Sequence, residues 1–319
     1  MKDYAIQLSV IVPMYNEEEV IASFLDRALK VLTENFDWFE LILVDDGSAD
    51  KTIERCLPYI QNFKQIRLLK FSRNYGHEIA STAGFDHAQG NYVVLMDADL
   101  QHPPELIPAM MEKAKEGFDV VCGQQNDRPI ESKMRRFFSK MFYRISRKMT
   151  GLDIPQGHGN FRLLTRVVVE SLKKMRENNR HLVMLFAYMG FRTASINYDC
   201  PPRAAGVSKY SVRKLINLAL DSMIGFSGRP LRTMSLFSVL ISFVMMVYAG
   251  FILLEKLFSH QHMIDGLASV IFLIAGLFSI LFLFLAFISE YISRILIETK
   301  NRPLYYIQQE ITHYALRTV

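Results

Sequence analysis

The chain has 319 residues, half of them hydrophobic, a formal net charge of +5 and three cysteines. That length allows about two domains. Cys56, Cys122 and Cys200 show no metal-ligand spacing and leave one thiol unpaired, which excludes a cysteine-built metal centre and fits a reducing compartment.

From residue 7 to about 123 apolar runs alternate with helical patterns. Leu8 to Val12 reads as a strand, followed by Pro13-Met14-Tyr15-Asn16-Glu17 and a helix to about Thr33. Phe39 to Val44 reads as a second strand, ending in Asp45-Asp46-Gly47-Ser48-Ala49-Asp50 before another helix. Ile66 to Phe71 is a third, ending in Ser72-Arg73-Asn74-Tyr75-Gly76-His77. Tyr92 to Met96 is a fourth, cut off by Asp97-Ala98-Asp99-Leu100-Gln101, after which Pro103-Pro104-Glu105 opens a helix. Asp119 to Cys122 is a fifth. Strands separated by helices imply an α/β fold with a mostly parallel sheet and right-handed crossovers. Ligands of such sheets bind outside the carboxyl ends of the strands, where the polar clusters sit here. No G-x-G-x-x-G follows the first strand, which counts against a nicotinamide dehydrogenase.

Asp97 and Asp99 share a parity along an extended chain, so they can point the same way. Two carboxylates and the amide oxygen of Gln101 at a strand end can hold a divalent cation, and that cation a diphosphate. A solvated turn with a helix cap gives the same local pattern.

Arg128 to Met149 interleaves Lys133, Arg135, Arg136, Lys140, Arg144, Arg147 and Lys148 with Phe137, Phe138, Met141, Phe142 and Ile145. That suits a helix on anionic lipid headgroups, and equally a solvated helix packing its aromatic stripe on the domain. No nucleic-acid recognition motif accompanies the charge, so no nucleic-acid partner is expected. Tyr210 to Phe226 reads as a second interfacial segment. Thr233 to Leu254 and Gly266 to Ser289 contain no charged residue, and each is long enough to cross a roughly 30 Å hydrocarbon core. Lys209, Arg213, Lys214, Arg229 and Arg232 precede the first span, and Arg294, Lys300 and Arg302 follow the second. The intervening loop from Glu255 to Asp265 holds only Lys256, so both termini are expected in the cytoplasm. The amino terminus enters a strand almost at once, which leaves no room for a signal peptide.

Val10-Ile11-Val12-Pro13-Met14-Tyr15-Asn16-Glu17, Val44-Asp45-Asp46-Gly47-Ser48 and Asp97-Ala98-Asp99-Leu100-Gln101-His102-Pro103-Pro104-Glu105 resemble the inverting glycosyltransferases of family 2, with a GT-A fold. Within them the chain resembles the polyisoprenyl-phosphate glycosyltransferases, of the bacterial GtrB and dolichyl-phosphate mannose synthase type. The likeness extends through Gly159-Asn160-Phe161-Arg162-Leu163, Arg203-Ala204-Ala205-Gly206-Val207-Ser208-Lys209-Tyr210 and the C-terminal membrane pair. It implies a catalytic domain over 1–207, a juxtamembrane segment over 208–232, two membrane helices over 233–289 and a cytoplasmic segment over 290–319. It also implies a multi-pass protein of the inner (plasma) membrane, assembled as a homo-oligomer, a tetramer.

The implied reaction moves a sugar, glucose first, from a UDP-hexose to undecaprenyl or another polyprenyl phosphate. By the same resemblance Mg2+ or Mn2+ sits on Asp97, Asp99 and Gln101 and neutralises the leaving diphosphate. Pro13, Tyr15, Glu17, Asp45, Asp46, Asp97 and Ala98 line the nucleotide and diphosphate site. Arg128, Arg203, Ser208 and Lys209 meet the phosphates, the last three as a mobile loop. Asp99, Asn160 and Arg162 stand at the reacting centre. Two departures from the family pattern stand out. Asn160 occupies a position that is often Asp and often proposed as the base, yet an acceptor phosphate with a second pKa near 6 is already anionic. Gly123-Gln124-Gln125 stands where relatives commonly carry an Arg. Rival readings are a GDP-mannose and dolichyl-phosphate enzyme, and a catalytically degenerate membrane scaffold. A processive polysaccharide synthase needs Q-x-x-R-W, and the only tryptophan is Trp38.

Overall fold

The computed structural model describes residues 7–126, 147, 151, 158–199, 229–258 and 266–317. They fall into two compact units, one of residues 1–147, 152–215 and 302–319, the other of 148–151 and 216–301.

The first unit is built on one eight-stranded sheet. In chain order its elements are β1 (Leu8–Met14), α1 (Ile21–Asn35), β2 (Phe39–Asp45), α2 (Thr52–Asn62), β3 (Ile66–Phe71), α3 (His77–His87) and β4 (Tyr92–Leu95). A short 3-10 turn (Pro104–Leu106) then leads into α4 (Ile107–Lys115) and β5 (Val120–Gln125). Next come β6 (His158–Thr165), α5 (Arg166–Lys173), α6 (Leu182–Met189) and β7 (Thr193–Tyr198). After the second unit's α7 (Arg229–Phe258) and α8 (Leu267–Thr299), β8 (Ile307–Thr312) and α9 (His313–Arg317) complete the first.

Every residue of β1 and β2 is buried, as expected for parallel strands covered on both faces. The residues of α1 that face inward, Phe24, Leu25, Ala28 and Leu32, recur at helical spacing. Phe24 and Leu25 are fully buried, each contributing about 1.5–3 kcal/mol of apolar transfer free energy.

The strand order is β7-β5-β6-β4-β1-β2-β3-β8. The first four strands pair in parallel as the alternation predicts, with β1 between β2 and β4. The fifth does not join β4. Antiparallel β6 lies between them, and β7 adds to β5 in parallel. At the opposite edge β8 pairs antiparallel with β3, so a strand from the far end of the chain closes the sheet. Tyr305 stacks on Phe71 with ring centroids 5.2 Å apart and donates to Asp86 at 2.9 Å. The Ser72 amide donates to the Tyr306 carbonyl at 3.1 Å.

In the second unit, α7 and α8 contain the two uncharged stretches. Among the described residues, Gly276–Thr299 is long and apolar enough to cross a membrane. The helix outruns the uncharged stretch that ends at Ser289, and Arg294 pairs with Glu290 at 3.0 Å one turn away.

Candidate active site

The parallel register sets Met14 beside Asp45, so the first two polar clusters start side by side. Pro13 is buried in the last stretch of β1, beyond its final pair with β4 at Ile11. Tyr15 emerges 41% exposed. Asn16 turns the chain with a φ of 55°, its amide donating to Ser48 Oγ at 3.0 Å and its Oδ1 accepting from Ala49 at 2.9 Å. The Glu17 amide donates to Thr52 Oγ1 at 2.8 Å. The cluster is thereby stitched to the one that follows β2.

Asp45 and Asp46 are buried, and both work locally. Asp45 accepts from the Ser48 amide at 3.2 Å. Asp46 accepts from the amides of Tyr75 at 2.6 Å and Gly76 at 2.9 Å. Burial pushes both carboxyls above the usual range against the pull of those hydrogen bonds. Gly47 explains the spacing: its φ is +75°, and a Cβ there would lie 2.7 Å from the Arg73 carbonyl carbon. Only glycine lets the loops after β2 and β3 touch. Gly76, with φ 99° and ψ 154°, then turns the chain into α3, whose first residue is His77.

β4 ends at Leu95, so the pleat that would align Asp97 with Asp99 stops two residues too early. A turn takes its place, with Leu100 at a φ of 61°, a strained value for a leucine. The turn is pinned from inside by His102, buried and stacked on Phe161 at 5.0 Å, whose Nδ1 accepts from the Asp97 amide at 2.9 Å. The Gln101 amide donates to Asp99 Oδ1 at 3.1 Å. Ala98 is 3% exposed and packs in the core, so its side chain is not a ligand surface.

Strand β6 pairs Arg162 with Leu95. Continuing that register past the end of β4 brings Asn160 opposite Asp97. His77 spans the two: its Nε2 lies 2.8 Å from Asp97 Oδ1 and its Nδ1 3.4 Å from Asn160 Nδ2. Desolvation by the surrounding loops opposes a charge on this imidazole. The hydrogen bond and charge of Asp97, with the charges of Glu78 and Asp46, outweigh it and raise the pKa to about 9.

Arg162 is 4% exposed, sits 4.8 Å over the Phe186 ring and donates from Nε to the Gly159 carbonyl at 3.0 Å. A guanidinium so placed braces the start of β6; the acceptor-gripping position that the sequence suggests for it is not an exposed one. Cys56 is buried, and burial beside Asp45 pushes its thiol up to about 12, so it is unreactive. Arg128, Arg203, Ser208 and Lys209 lie outside the described residues, as do the segment Tyr210 to Phe226 and, Arg147 apart, Arg128 to Met149. His77 and His102 carry no flag in the sequence. Only the register of β4 with β6 and the packing of three loops reveal them.

The family model described as glycosyl transferase family 2 matches residues 9–173, which hold every strand end just described from β1 to β6. The chain belongs to glycosyl transferase family 2. An uncharacterized glycosyltransferase of Synechocystis is 40% identical over 302 residues, covering 95% of each chain. A bactoprenol glucosyl transferase of Shigella phage SfV is 32% identical over 304 residues, covering 95% of this chain and 99% of that one. Glucosyl-3-phosphoglycerate synthase from Mycobacterium tuberculosis, solved with Mn2+ and uridine-diphosphate-glucose, shares the fold. Its TM-score is 0.50 at 17% identity, over 69% of this chain and 77% of that one.

Among the described residues of this family 2 glycosyltransferase, no three His, Cys, Asp or Glu side chains gather as a metal cage. Two carboxylates and an amide on one turn are instead a partial, all-oxygen set. Such a set fits Mg2+ or Mn2+, which keep positions for water and substrate phosphate.

Proposed function

We propose that the chain transfers glucose from UDP-glucose to a polyprenyl phosphate at a membrane surface, with inversion. The observation that carries this reading is the convergence on His77 of Asp97, just past the carboxyl end of β4, and Asn160, near the start of antiparallel β6. It occurs in a chain related over nearly its whole length to a bactoprenol glucosyl transferase.

Asp97, Asp99 and Gln101 would hold a divalent cation, which when bound supplies charge neutralisation for the leaving diphosphate. Tyr15, exposed at the end of β1, offers its ring and hydroxyl to the nucleotide. Asp46 acts at one remove, by fixing residues 75–77. The acceptor phosphate attacks the anomeric carbon as the bond to the diphosphate oxygen breaks. With a second pKa near 6 the nucleophile needs no base. Asn160 cannot take a proton, and its part is to orient the reactants by hydrogen bonding. Arg203, Ser208 and Lys209 close over the phosphates, as the resemblance implies, and Arg128 adds charge there.

The apolar acceptor sets where the enzyme works. Thr233–Leu254 and Gly266–Ser289 form two membrane spans within α7 and α8, and the Lys/Arg bias puts both termini and the catalytic unit on the cytoplasmic face.

The test incubates the purified full chain with undecaprenyl phosphate, Mg2+ or Mn2+, and labelled UDP-glucose, UDP-galactose, UDP-N-acetylglucosamine or GDP-mannose. The expected product is a lipid phosphate heavier by one hexose, labelled from UDP-glucose. A mannosyl lipid from GDP-mannose overturns the donor assignment. Absence of any lipid product favours the scaffold reading.

A further inference from the structure

We propose that His77 is a positioning residue that locks the donor-side carboxylate of Asp97 and the acceptor-side amide of Asn160 into one unit. The inference rests on the functional reading above.

Asp97 follows the end of β4, whose last pair with antiparallel β6 is Leu95 with Arg162, whereas Asn160 lies within β6, which stays paired with β5 as far as His158. The β4–β6 ladder stops at the Leu95–Arg162 pair, before it reaches the two side chains. The His77 ring reaches both, with Nε2 2.8 Å from Asp97 Oδ1 and Nδ1 3.4 Å from the Asn160 amide group, whose oxygen and nitrogen exchange places by a flip so that the amide oxygen accepts when the ring nitrogen carries a proton. A five-membered ring with nitrogens on two edges can span both partners. A glutamine amide reaches Asp97 but not both.

The ring is itself held in place. Asp46 takes the two amides before it, Tyr75 and Gly76, and Gly47 lets the loops pack. Behind the turn His102 holds the Asp97 amide at 2.9 Å. Asp97 is therefore fixed by its backbone on one side and by its carboxylate on the other, and Asn160 is fixed through the same ring. Loading the diphosphate and orienting the acceptor then share one side chain.

The test uses the full chain in detergent and the variants His77→Ala, His77→Gln, Asn160→Ala and His77→Ala with Asn160→Ala. It reads single-turnover glucose transfer and, separately, Mn2+-dependent UDP binding by calorimetry. His77→Ala should slow transfer at saturating donor by about thirtyfold or more and weaken UDP binding by about three- to tenfold. Asn160→Ala should slow transfer and leave UDP binding unchanged. His77→Gln should recover UDP binding but not the rate. The double variant should transfer within about threefold of the slower single variant, because both changes break one connection. Losses that multiply in the double variant, or a His77→Ala enzyme equal to the wild type, overturn the inference. Should His77→Ala fail to fold, His77→Gln with Asn160→Ala completes the same cycle. Wild-type protein that ignores UDP-glucose but uses another donor refutes the functional reading alone. The same variants run with that donor still decide this one.

Discussion

Gly47→Ala isolates the contact that brings the site's loops together. An alanine at φ +75° stores about 1–2 kcal/mol of left-handed strain. Its Cβ would also lie 2.7 Å from the carbonyl carbon of Arg73 and 2.8 Å from the amide nitrogen of Asn74. Those atoms are backbone and cannot swing aside as a flexible side chain would. Overpacking of this kind adds about 1–3 kcal/mol, for a total of roughly 2–5 kcal/mol. In a unit of this size that lowers the melting temperature by roughly 5–15 °C. The displaced stretch is the one whose amides Asp46 accepts, so UDP affinity should fall with stability. Gly159→Ala is the control, since a Cβ there meets nothing within 4 Å. Thermal melts of both variants, with calorimetric UDP titrations, make the comparison. A Gly47→Ala protein that melts within about a degree of the Gly159→Ala protein would falsify the account of how the loops pack.

Three further outcomes are expected. Asp99→Asn should abolish transfer while the melting temperature stays near wild type, because the carboxylate's charge rather than its shape holds a cation against the diphosphate; near-normal turnover at saturating Mg2+ or Mn2+ would sink the metal assignment. His77 holds its proton more tightly folded, near 9, than unfolded, near 6.5. Its stabilisation is therefore complete below pH 6.5 and is lost as pH rises through about 9, so the melting gap between wild type and His77→Gln should narrow across that window. A gap that widens with pH would contradict the pairing with Asp97. Tyr305→Phe keeps the stack on Phe71 but removes the hydroxyl that donates to Asp86 at 2.9 Å, and should destabilise the first unit by about 0.5–1.5 kcal/mol in a denaturant melt. Tyr305→Ala should lose clearly more, and equal losses would mean that the stack contributes nothing.

Local chemistry carries its own signature, and so the sequence alone determined a good deal. Four apolar runs, each ended by a polar cluster, marked β1 to β4 and their parallel pairing, though not their order in the sheet. Buried parallel strands are continuous hydrophobic stretches, and helices must connect them. The Asp-x-Asp turn, the two uncharged stretches and the Asn at 160 were equally legible. Pairing between distant strands leaves no such trace. The antiparallel insertion of β6 beside β4 and the return of β8 to the edge of β3 depend on contacts across many residues. That insertion alone decided that Asn160 faces Asp97. Tertiary structure also gave Asp46 a loop to hold, buried Arg162 against Phe186, and ended β4 before parity could align Asp97 with Asp99. His77 and His102 became part of the site for the same reason. A histidine is marked by its neighbours in space, and the chain between it and those neighbours says nothing about them.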